Sequence, residues 1–128
     1  FMSHQLGEAV VALVEANDAV RFLGKAIGEA MCRSYEAQTA DGGRYTDWLK
    51  NAYEHAREDS GWGGTSFYYV KHDGDVESYL AEHCPHALEA HRLIQARKDA
   101  RKRLGIAKRR VSVMGRALIR SRKEGASR

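Results

Sequence analysis

The stretch RLGIAKRRVSVMG, residues 103–115, admits two backbones, and the choice between them decides the fold. Gly105 can bend the chain between two short helices, or it can sit inside one long helix. Hydrophobic phase separates the two. Leu93, Ala96, Ala100, Leu104, Ala107, Val111, Met114 and Leu118 recur at steps of three and four residues, and they keep one stripe through Gly105 without a shift. A turn of three or four residues would redirect that stripe. A glycine inside a helix costs only about 1 kcal/mol relative to alanine, so phase favours the continuous helix.

The N-terminal part carries a matching pattern. Leu6, Val10, Leu13, Asn17, Val20, Gly24, Ile27 and Met31 form a stripe of the same length, capped by Ser3. At 1.5 Å per residue each stripe runs roughly 37 Å. Equal stripes predict an all-α fold, a long antiparallel helical hairpin resembling a coiled coil, with Met31 near Leu93 and Leu6 near Leu118. Gly24 and the alanines permit close approach, and Asn17 sets register or sits at a wet edge. The expected organisation is one domain: a helix over 1–40, an aromatic head over 41–84, a long basic helix over 85–123 and a flexible tail over 124–128.

The head is defined by composition. Eight of the eleven aromatic residues lie between Tyr45 and Tyr79. DGGRYTDWLK, residues 41–50, stops the first helix at Gly42 and Gly43 and starts another. Thr46 is the expected cap, with Trp48, Leu49, Ala52, Tyr53 and Ala56 on one face. In SGWGGTSFYYVKHDGD, residues 60–75, glycines break any helix and TSFYYV has strand propensity without an evident partner strand, so a structured loop is expected. A short helix follows, with Val76, Tyr79 and Leu80 inward.

Composition sets the broad class. The chain has 128 residues, 43% hydrophobic and 30% charged, with one proline, which suits a helix-rich globular domain. No apolar run reaches the ~20 residues of a membrane span. With no basic segment and apolar core at the N-terminus, a cytoplasmic location without a membrane partner is the expectation. The net charge of +4 conceals a strong polarity: residues 92–128 carry +12 and residues 1–91 carry −8.

On the long helix Arg97, Lys98, Arg101, Lys102, Lys108, Arg109, Arg116, Arg120 and Lys123 surround the apolar stripe. One reading is a solvated face partly neutralised by Glu8, Glu15, Asp18 and Glu29. The other is a surface for nucleic-acid phosphates or an acidic protein. Of these cations, all but Lys123 are the candidate binding residues. Trp62, Phe67, Tyr68 and Tyr69 form the alternative partner-binding set, as aromatic anchors. A homodimer is compatible with either.

HCPHALEAH, residues 83–91, reads first as a helix start, with Pro85 in the first turn and Cys84 at the cap. Cys32, Cys84, His86 and His91 also make a suitable zinc set in kind, though their spacing fits no standard pattern, and His86 and His91 fall on different helix faces. No cofactor is therefore expected. No enzyme motif is present: beside Cys84 there is neither an oxyanion-stabilising loop nor an orienting carboxylate, and Gly61, Gly63 and Gly64 form no phosphate loop.

Two resemblances complete the reading. ARKRLGIAKRRVSVMGRAL, residues 100–118, resembles the helix-turn-helix of bacterial regulators, which implies DNA binding. It departs from that motif where a Ser or Thr cap is usual and Ala107 stands. HCPHALEAHRLIQARKDARKRLGIAKRR, residues 83–110, resembles the end of small proteins encoded by bacteriophages and prophages. That resemblance implies a host or phage macromolecular complex as partner, and the role of regulator or inhibitor. Nucleic-acid binding is the leading expectation, and a protein-binding adaptor is the alternative.

Overall fold

The computed structural model describes residues 2–58 and 73–126. Among them every regular element is an α-helix: α1 (Met2–Thr39), α2 (Trp48–Glu58), α3 (Asp73–His83) and α4 (Pro85–Ala126). α4 runs 42 residues without a break, so Gly105 lies inside a helix and no turn hinges there. The helix-turn-helix geometry is thereby replaced by a continuous helix, as the unbroken stripe requires. Residues 124–126, expected in a flexible tail, belong to α4. No described helix is long and apolar enough to cross a membrane.

The chain divides into two compact units. One comprises Phe1–Gly24 with Gln95–Arg128, and the other Lys25–Ile94.

The second unit holds the hydrophobic core. Leu80, Val76, Ala52, Ala56, Leu49, Ala30, Ala87, Ala90 and Cys84 are buried together, with Met31 and Leu93 packed against them. α2 and α3 pack directly on one another. The inward face expected for α2 is observed, since Leu49, Ala52 and Ala56 are all buried. His91 is fully buried in the same unit, and its Nδ1 lies 2.9 Å from the Tyr53 hydroxyl. Such a pairing removes the cost of burying a lone imidazole nitrogen.

Local chemistry explains the turns. α1 stops where Gly42 adopts φ 76°, a left-handed conformation that disfavours side chains, and the Gly42 N–H donates to the Thr39 carbonyl at 3.1 Å. A Cβ on Gly43 would collide with the Gln38 carbonyl oxygen. α2 is capped by Asp47, whose Oδ1 accepts the Lys50 N–H at 3.2 Å. Thr46, the expected cap, stands one residue too early. Its N–H donates instead to Gln38 Oε1 at 2.7 Å, Gln38 Nε2 donates to Ser34 Oγ at 2.9 Å, and Ser34 Oγ meets Cys84 Sγ at 3.4 Å. This polar chain ties the α1–α2 connection to the start of α4. Cys84 caps two helices at once: its N–H donates to the Leu80 carbonyl at 2.8 Å and its carbonyl accepts the Leu88 N–H at 3.1 Å.

The first unit is filled differently. Among its described residues the buried side chains are alanines, Ala9 at 1% and Ala100 at 8% exposure. Leu6, Leu13, Val20 and Leu23 of α1, and Leu104, Ala107, Val111, Met114 and Leu118 of α4, are half-buried. Two stripe positions differ from expectation. Val10 is exposed while Ala9 is buried, and Ala96 is exposed while Arg97 is half-buried.

Candidate functional site

The basic surface belongs to the first unit and is built on α4. Lys98, Lys102, Arg109, Arg116 and Arg120 follow one another at steps of four and seven, which keeps them on one face, roughly opposite the half-buried stripe. They span about 33 Å of helix at 1.5 Å per residue. Arg101 and Lys108 lie to one side of this row, Arg103 and Arg110 to the other. All nine side chains are exposed.

Arg97 stands apart from the rest. It is half-buried, and its Nη1 lies 4.0 Å from the point a Cβ on Gly24 would occupy. The guanidinium thus lies close to α1 where glycine leaves room. Sequence periodicity alone does not separate Arg97 from its neighbours.

The cations of α4 have little local compensation. Among the described residues, Lys98, Arg101, Lys102, Arg103, Lys108, Arg109, Arg110, Arg116, Arg120 and Arg122 have no carboxylate within 4.0 Å. The acids expected to neutralise them do not. Glu8 pairs with His4 at 3.1 Å, and Glu15, Asp18 and Glu29 are exposed on α1 without such a partner. The described ion pairs with Arg, Arg33–Glu89 at 3.0 Å and Arg92–Glu77 at 3.2 Å, lie in the other unit.

The Cys and His residues of the zinc alternative are dispersed by environment. Cys32 is exposed, Cys84 is buried beside Ser34, His86 is half-buried, and His91 is buried against Tyr53. No group of three or more His, Cys, Asp or Glu among the described residues is placed to hold a metal ion.

The aromatic alternative divides at the edge of what is described. Trp62, Phe67, Tyr68 and Tyr69 lie outside the described residues. A second aromatic group, not singled out from the sequence, sits on α2 and α3. Trp48 and His83 stack with ring centroids 4.6 Å apart and planes 11° from parallel, Tyr79 lies 4.4 Å from His83, and His55 stacks on Tyr79 at 4.9 Å. Its signal was the i, i+4 spacing of Tyr79 and His83, which places both on one helix face. Nearby, Tyr45 packs on Tyr35 at 5.6 Å, and partial burial, then Asp47 and Cys84, raises its pKa above the usual tyrosine value.

Chemically, the basic row offers point charges and guanidinium forks for phosphate or carboxylate oxygens. Comparison with protein-family models, with curated proteins and with solved structures finds no match to this chain.

Proposed function

We propose that this chain is a non-enzymatic nucleic-acid-binding protein that reads the phosphate backbone with the outer face of α4. The supporting observation is the row Lys98, Lys102, Arg109, Arg116 and Arg120, exposed on an unbroken helix with no carboxylate in reach. Unpaired cations on one helix repel each other, and a polyanion relieves that repulsion while releasing its own counterions. In this reading residues 2–24 and 95–126 pair as an antiparallel hairpin that stiffens the basic face. The phage resemblance makes host or phage nucleic acid the natural target, in the cytoplasm.

The test is a salt titration. Wild type binds duplex DNA or RNA with an affinity that falls steeply as salt rises. Replacing Lys102, Arg109, Arg116 and Arg120 by Gln lowers the affinity and flattens the log–log slope on duplex DNA by about 3 to 4, if each side chain neutralises one phosphate. Fluorescence anisotropy measures both. An unchanged affinity with an unchanged slope sinks the proposal.

A second reading, a protein-binding adaptor, draws on the Trp48–His83–Tyr79 cluster, because rings of this kind anchor protein interfaces. A pull-down from bacterial lysate with and without nuclease separates the two: partners lost on nuclease treatment favour nucleic acid, and an acidic protein retained after it favours the adaptor.

A further inference from the structure

We propose that the basic face of α4 enters the major groove of duplex DNA, with Ile106 and Val113 against thymine methyl groups and cations on the phosphates of both strands. It rests on the nucleic-acid reading above and goes beyond it, naming the form of nucleic acid and the side chains that touch its bases. The starting point is an apolar pair in a charged place. Ile106 and Val113 are 58% and 62% exposed. They stand seven residues apart on one continuous helix, so they share a face and lie about 10 Å apart along it. That face is the basic one: Lys102, Ile106, Arg109, Val113, Arg116 and Arg120 follow steps of four and three. A lone exposed isoleucine or valine is ordinary surface. Here two of them share a row of cations, both are poorer helix formers than the Lys and Arg beside them, and phosphate contact alone has no use for either.

The neighbours of the pair define what it meets. At 100° per residue, Arg103 and Arg110 lie roughly 60° to one side of it, and Lys102, Arg109 and Arg116 roughly 50° to the other. All five are exposed, with no carboxylate within 4.0 Å among the described residues. The acids of α4 nearest to this region are Asp99 and Glu124, and no acid stands between them in the sequence. The pair also falls at the middle of the row that runs from Lys98 to Arg120, where a straight helix comes closest to a curving groove.

An apolar line with cations on both flanks fits a ligand that carries two anionic rails beside a floor bearing apolar groups. The major groove of B-form DNA is such a ligand. It is about 12 Å wide, admits an α-helix, has a phosphate strand on either side and exposes the C5-methyl group of every thymine. Duplex RNA is not, because its major groove is too deep and narrow for side chains to read and uracil has no methyl group. A single strand offers one rail. A lipid surface takes up a broad apolar face, and two side chains among so many cations are too few.

The experiment compares, by fluorescence anisotropy on the full chain, a duplex of alternating dA and dT with the same duplex carrying deoxyuridine for thymidine. That exchange removes the methyl groups and keeps every phosphate and every hydrogen-bonding group. Wild type binds the thymine duplex about tenfold more tightly, the effect of two methyl contacts withdrawn from water, and shows an equally steep salt dependence on both. The combined Ile106→Ser, Val113→Ser variant binds the thymine duplex about tenfold more weakly, no longer distinguishes the two duplexes, and keeps the wild-type salt slope because every cation remains. The duplex comparison uses wild type, so it decides the matter even if the serine variant loses helical circular dichroism. Duplex RNA of adenine and uracil binds more weakly than either DNA. Equal affinity for the two DNA duplexes leaves the pair to a lipid or protein surface and overturns the proposal, as does RNA bound as tightly as DNA or a serine variant weakened equally on both duplexes. A steep salt slope without thymine preference overturns this proposal alone and leaves phosphate binding standing, whereas no binding to any duplex overturns both.

Discussion

The two units of this chain are held together by different means. In residues 25–94, four helical segments enclose Leu80, Val76 and His91 at 0% exposure. Among the described residues of the unit 1–24 and 95–128 the buried side chains are alanines, and seven large hydrophobic side chains are exposed. The first arrangement has enough helical segments to surround a core, and the second has two, too few to enclose one. Stability therefore concentrates in one unit, while unpaired charge and apolar surface concentrate in the other. A region that is incomplete by itself is where partners add the most free energy.

The largest expected effect tests that contrast directly. Leu80→Ala leaves a cavity in a closed core and costs about 3 kcal/mol in urea unfolding. Leu13→Ala costs about 1 kcal/mol, because a half-exposed side chain loses less on truncation. Equal costs would break the comparison. Next comes the buried polar pair. Tyr53→Phe removes the hydroxyl 2.9 Å from His91 Nδ1 and lowers stability by about 1.5 kcal/mol, seen as a lower melting temperature. A neutral result would show that His91 is supported without Tyr53.

Smaller effects sharpen the account of the first unit. Gly105→Ala raises stability by up to about 1 kcal/mol, since the added methyl meets nothing within 4 Å and helix propensity improves. A loss of stability would mean that the backbone at Gly105 is not helical in solution. Smallest is the effect of the four-Gln change on folding, under about 0.5 kcal/mol in the same unfolding assay, because these side chains are exposed and make no described ion pair. A larger loss would assign the outer row a structural part that its position does not suggest.

The helices show how far local pattern reaches. The stripe from Leu93 to Leu118 kept its phase across Gly105, and α4 is continuous there, because hydrophobic period and helix period are the same 3.6-residue repeat. The same reasoning put Val10 inward, and Ala9 is buried instead. Hydropathy ranks valine above alanine, but it does not fix which of two adjacent positions turns inward. Thr46 and Asp47 are both good caps by residue type, and only the observed first turn of α2 distinguishes them. For the candidate site, the identity of the cations, and the exposure of all but Arg97, were legible from their spacing. Whether α1 acids neutralise them was not, because ion pairing depends on angstrom-scale distances between helices.

By itself the amino-acid order determined the all-helical character, the length and continuity of the basic helix, and the polarity of charge along the chain. Each of these follows from residues within a few turns of one another, where periodicity and propensity act. Tertiary structure alone decided that Arg97 reaches over Gly24, that His91 is buried against Tyr53, and that Gln38 bridges Ser34 to Thr46. It also decided that the cations of the outer row stand without acids from α1. These outcomes join residues on different elements, or far apart along the chain. They depend on the rotation and separation of helices, which many side-chain contacts set together and no local stretch of sequence encodes.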